Sequence, residues 1–105
     1  MSARVAVRRG AIYLPASLVE TYFRGVEAVV VLIRDGVLQI LPVRQMAAGG
    51  CLLKVRNAAG DRVATAPDVF LEHGLDAWSA EALEARWSRE AAALLIDLPS
   101  AESEN

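Results

Sequence analysis

Two runs of apolar, largely β-branched residues, 26–33 and 37–43, are separated only by Arg34 and the pair Asp35-Gly36. Asp-Gly between such runs is a strong hairpin signal, because a two-residue turn of the right twist needs positive φ at both central residues and these two tolerate it. A lone hairpin is marginal in water, so this one must lay its apolar face on other parts of the chain. The residues ahead of it supply the first of those parts. Residues 11–14 (AIYL) read as a short strand running into Pro15, whose fixed φ and missing N–H suit the first turn of a helix. Leu18, Val19, Tyr22 and Phe23 recur at helical spacing, and Gly25 stands where a left-handed C-cap is expected. Residues 10–43 thus form one unit of strand, Pro-started helix and hairpin.

The rest of the chain repeats that order of signals. Residues 4–8 (RVAVR) alternate, with Val5 and Val7 on one side, and Arg8-Arg9-Gly10 makes a turn. Residues 51–57 (CLLKVRN) alternate again, with Leu53 and Val55 on one face and Lys54 and Arg56 on the other. A turn at 58–61, a return strand at 62–66, Pro67 and a short segment closed by Gly74 follow. Pro15 and Pro67 hold matching places, as do Gly25 and Gly74, which makes the chain a degenerate tandem repeat. Pro42 marks an edge position or the close of its strand. The divisions are a first half at 1–44, a linker at 45–50 (QMAAGG then ending in paired glycines), a second half at 51–99 and an acidic tail at 100–105. Residues 79–98 admit two readings. Their Ala, Leu, Glu and Arg content and the stripe Leu83, Trp87, Ala91, Leu94, Leu98 suit a helix. The repeat places a hairpin there, with Leu83, Ala85 and Trp87 alternating against Glu84 and Arg86, and it favours the hairpin.

At 105 residues the chain has the size of one small domain or two half-domains, and its 54 % hydrophobic content excludes a disordered chain. No uncharged run approaches the roughly 18 residues of a membrane span, and the start carries no signal-peptide pattern, so the expectation is a soluble cytoplasmic protein without a membrane partner. One cysteine, Cys51, can make neither an internal disulfide nor a zinc site alone, and reads as a small buried hydrophobe at a strand start. The net charge of −2 hides a split. Through Arg56 there are eight cations and three acids, and beyond it three cations and ten acids, giving +5 and −7. Such asymmetry points to an anionic partner for the first half or to head-to-tail packing of subunits.

Lined up, the Gly turn, GAIYLP, the helix ASLVETYF and the hairpin VEAVVVLIRDGVLQILPV resemble the motif of the swapped-hairpin proteins of the AbrB and MraZ type. GDRVATAP with DVFLEHGL resembles it a second time, so nearly the whole chain is covered in the two-copy manner of MraZ. The resemblance implies a mainly β (α+β) fold, a swapped-hairpin barrel made from two strand, short helix and hairpin halves that interleave within one chain or between subunits. It also implies an oligomer and transcription regulation by sequence-specific DNA binding through arginines beside the Gly turn. Gly10 and Pro15 match the motif, whereas Ala11 stands where the family usually has arginine, with Arg8 and Arg9 on the other side of the glycine to substitute. In the second copy Asp61 puts a carboxylate where phosphate would approach.

The candidate DNA-binding residues are therefore Arg4, Arg8 and Arg9, whose planar forks suit phosphates and guanine edges. The plainer reading of the same cluster is a solvated sheet edge charged to prevent strand pairing. His73 with Glu72 and Asp68 lacks a second histidine and a shared register, so it reads as a helix-end histidine, with no metal or other cofactor expected. Trp78 and Trp87 read as core residues or as interface anchors. No nucleophile–base pair or phosphate-binding glycine motif stands out, and no catalytic residue or enzymatic activity is expected. Two functions follow: a DNA-binding regulator that self-associates, or an accessory subunit that uses the same fold to bind another protein. The second draws on the net acidity, Ala11 and Asp61.

Overall fold

The computed structural model of the chain describes residues 3–43 and 50–98. Of the linker expected at 45–50 only Gly50 falls within them, and the acidic tail at 100–105 lies outside. The first half holds strands β1 (Ala3–Arg8) and β2 (Ala11–Leu14), helix α1 (Ala16–Tyr22), and strands β3 (Ala28–Arg34) and β4 (Val37–Val43). The second holds β5 (Gly50–Val55), β6 (Arg62–Thr65), helix α2 (Pro67–Glu72), β7 (Ser79–Ser88) and β8 (Ala93–Asp97). The fold is mainly β.

All eight strands close into one antiparallel barrel in the order β1-β2-β6-β5-β3-β4-β8-β7. Exchanging each strand with its counterpart in the other half, β1 for β5 through β4 for β8, returns the same set of neighbours. The cross-half pairings carry that exchange down to residues. β2 and β6 meet at Ile12↔Ala64, two residues with no exposed surface. β4 and β8 meet at Leu38↔Ile96 and Ile40↔Leu94, two pairs of buried aliphatics that trade places under the exchange. Leu18 of α1 and Phe70 of α2, three residues after Pro15 and Pro67, add to the same core. Burying each of these Ile, Leu and Phe side chains fully stabilises the fold by about 1.5–3 kcal/mol.

The turns follow local chemistry. Arg34↔Val37 closes the β3–β4 hairpin over Asp35 and Gly36, at φ 55° and 76°. Arg8↔Ala11 closes β1–β2 in the same way over Arg9 and Gly10, at φ 49° and 87°. Of the two readings of 79–98 the structure has the hairpin. β8 is paired on one side with β4 and on the other with β7, so Ala93, Leu94 and Ile96 are buried in the barrel wall, a demand that overrides the helical composition. Trp87 packs on the first half's helix region, stacked on Tyr22 with ring centroids 4.8 Å apart and edge-on to Phe23 at 6.1 Å. Trp78 is likewise partly buried against the core.

Three expectations need correction. The opening strand is no sheet edge, since β1 is paired with β2 on one side and β7 on the other. Val55 shares Leu53's side of β5 but is the strand's last residue, at the barrel rim, and is 66 % exposed against 4 % for Leu53. Cys51 is half-buried rather than fully buried, and burial pushes its thiol pKa up, away from the reactive thiolate. Pro42 lies inside β4, one residue before its end, paired with Val29 of β3 but two residues beyond Ile40, where the pairing with β8 ends. Of the two places expected it therefore takes the edge position. Among the described residues no helix is long and apolar enough to cross a membrane.

The turns at Gly10 and Gly60 each abut the start of the other half's helix. A Cβ on Gly10 would stand 2.9 Å from the Pro67 Cα, and one on Gly60 3.4 Å from the Ala16 Cβ. Ala66 N–H, just before α2, donates to the Gly10 carbonyl at 2.8 Å. Gly10→Ala therefore combines a left-handed φ with a backbone clash, and should destabilise the protein by about 2–3 kcal/mol in urea unfolding. Gly25→Ala, with φ 74° and open space, should lose only about 1 kcal/mol. Equal losses for the two variants would show that the Gly10–Pro67 contact does not constrain the fold.

Candidate functional site

Alternation along β2 buries Ile12 and Leu14 and turns Tyr13 outward, half-buried, between its register partners Ala6 of β1 and Val63 of β6. Two guanidiniums stand over its ring. Arg8, at the end of β1, has its Cζ 5.2 Å from the ring centroid, and Arg56, one residue past β5, has its Cζ at 4.7 Å. Each contact is worth about 0.5–1 kcal/mol at an exposed site and restrains a long side chain. Arg8 ends the first copy's opening strand as Arg56 follows the second's, each after a valine, so the repeat brings one arginine from each half to one tyrosine.

The remaining partners come from an irregularity in the β1–β7 ladder. Its register shifts between Val5 and Val7, where Ala82 of β7 takes φ 57°. The bulge turns the Ala82 carbonyl toward Arg4, whose Nη1 donates to it at 3.2 Å. It also sets Glu81 against Arg8: Nε and Nη2 both reach Glu81 Oε2 at 2.8 Å. Arg4, Arg8, Tyr13, Arg56, Glu81 and Asp61 line one open depression of about 230 Å³.

Of the three arginines expected to act together, Arg4 and Arg8 share this depression and Arg9 does not line it. Arg9 occupies the left-handed turn position and its N–H donates to the Trp78 carbonyl at 3.0 Å. Tyr13, Arg56 and Glu81 were not singled out from the sequence. The alternation of AIYL and the matching Val-Arg pairs signal the first two, whereas the bulge that brings in Glu81 has no local signature. His73 Nδ1 lies 3.1 Å from the Val69 carbonyl one turn back, as suits a helix-end histidine. Among the described residues no group of three or more His, Cys, Asp or Glu side chains is placed to hold a metal.

Asp61 has a structural task. Its Oδ1 accepts the Ala16 N–H at 2.8 Å, capping the start of α1, where Pro15 offers no side-chain cap. Its Oδ2 accepts from the Asn57 amide at 3.0 Å, and Asn57 Oδ1 in turn accepts the Ala59 and Asp61 N–H groups. The Asn57 amide first, then the Ala16 N–H and the nearby Arg56 charge, hold this carboxyl below its ordinary range. A carboxylate whose pKa is lowered on folding contributes stability above its unfolded pKa of about 3.9, and that contribution is lost as pH falls through the lower folded value. Asp61→Ala should accordingly lower the thermal midpoint at neutral pH, with the gap to wild type narrowing below about pH 4. A gap that stays constant to about pH 2 would contradict the charged cap. Among known proteins no family model matches the chain, and no curated protein or solved structure does either.

Proposed function

We propose that the chain is a DNA-binding regulator of the swapped-hairpin, AbrB/MraZ-like type, which meets duplex phosphates with Arg4, Arg8 and Arg56, while Arg9 at the adjoining turn extends the cationic face. The observation that carries this reading is the convergence of Arg8 and Arg56, from the two halves, on Tyr13. Rings that restrain guanidiniums lower the entropy lost when phosphate is bound, and planar forks suit its oxygens. The strand order supports the swapped-hairpin reading, because each half's opening hairpin lies against the closing hairpin of the other. No cofactor or catalytic step enters this function.

A second reading has its own observation. Glu81 and Asp61 line the same depression as the arginines, and Leu52 and Val55, 52 % and 66 % exposed, flank Lys54 ahead of Arg56. A mixed-charge face with apolar neighbours suits an acidic protein partner, or a further copy of the chain, as well as nucleic acid.

Fluorescence anisotropy with labelled duplex distinguishes the two. Wild type should bind random duplex at low salt, and Arg8→Ala with Arg56→Ala should reduce the slope of log affinity against log salt by about 1.8, two phosphate contacts' worth. Failure of the wild type to bind either random duplex or its own upstream DNA at low salt would refute the regulator reading. Recovery of a stoichiometric protein partner by that DNA-silent protein, lost in the same double variant, would establish the second.

A further inference from the structure

Among the described residues only two ion pairs form, Arg8–Glu81 and Arg86–Asp97, and only the first touches the candidate face. Arg4 is held by a neutral carbonyl, and Arg56 by the Tyr13 ring. Of the three, Arg8 alone forms an ion pair, through the Nε–Nη2 edge that would grip a phosphate side-on, whereas Arg56 has the Asp61 carboxylate only nearby. Both partners stay open to solvent, with side chains 48 % and 64 % exposed, so an incoming anion can reach the pair. Glu81 is delivered by the second half's strand β7, next to Ala82 in the stretch where the β1–β7 register shifts between Val5 and Val7.

We infer that Glu81 is an internal competitor for the anion site, occupying the Arg8 fork in the free protein and setting the affinity of the face for phosphate. This rests on the DNA-binding reading above. A carboxylate offers Arg8 the same kind of acceptor as a phosphate oxygen, and the tether keeps it at high local concentration. Binding must therefore exchange one charge-assisted contact for another at Arg8, while Arg4 and Arg56 give up no ion pair. The device limits indiscriminate binding to any polyanion, since a weak or badly placed phosphate does not displace Glu81.

The test is anisotropy with a labelled random duplex at fixed moderate salt, on wild type, Glu81→Gln, Arg8→Ala and the double variant, each checked for an unchanged circular dichroism spectrum. Glu81→Gln keeps the shape and removes the charge. It should tighten binding by about two- to fivefold, the range for an exposed ion pair. In the Arg8→Ala background the same change should leave affinity nearly unaltered, because the competition acts through Arg8. Equal or weaker binding by Glu81→Gln while wild type binds would overturn the inference alone, and would make Glu81 a residue that positions Arg8. An equal gain with and without Arg8 would also overturn it, by assigning the effect to general repulsion. Silence of both wild type and Glu81→Gln at low salt would remove the DNA reading together with the competitor.

Discussion

Cross-half strand pairing is the constraint on which the rest of this molecule depends. Neither β2–β6 nor β4–β8 joins strands of the same half, yet without both the sheet stays open and the core residues Ile12, Ala64, Leu38 and Ile96 lose their partners. Among the described residues closure also gives every strand a neighbour on both sides, where an open sheet this rich in β-branched residues would expose an edge strand. Two of the left-handed glycines serve the same end. Gly10 lets its turn sit on Pro67 of the other half, and Gly60 does so on Ala16, so each half's turn seats the other's helix.

The candidate site inherits its composition from this arrangement. β1 lies beside β7 and β2 beside β6, so the cationic first half meets acceptors from the acidic second half along one face. The charge split legible in the sequence is therefore partly satisfied internally: Arg8 pairs with Glu81, and Asp61 caps α1. What is left over is a mixed field in which, among the described residues, Arg4 and Arg56 form no ion pair, although Arg56 lies near the Asp61 carboxylate. On the proposed anion-binding reading, such a surface would bind by exchanging contacts already made, which would tie its affinity to salt and to the few acids that compete.

Local chemistry made much of the fold legible. Asp35-Gly36, Pro15, Pro67 and the glycines mark turns and helix starts through requirements of φ and of the missing proline N–H, and these act whatever the tertiary context. The segment 79–98 was legible only through the repeat, because its Ala, Leu and Glu content is neutral or helical and the strand exists through pairing on both sides. Val55 misleads because alternation says which side a residue takes but not where the barrel ends. Asp61 is the most instructive residue. Its charge beside a turn reads as an obstacle to phosphate, whereas its partner is the Ala16 N–H, 45 positions away and visible only once the halves interlock. Arg4 and Arg8 could be picked out from their density in one strand, but Tyr13, Arg56 and Glu81 depend on inter-half register, which no local pattern encodes.

Interlocked in this way, the two halves should fold as one cooperative barrel, neither being a folding unit alone. Native-state hydrogen exchange on the intact chain, followed residue by residue in rising denaturant, tests it most directly. The slow amides of β2 and β4 should open together with those of β6 and β8, at one common free energy equal to that of global unfolding. Amides of one half that stay protected while those of the other exchange through a lower-energy opening would contradict the claim.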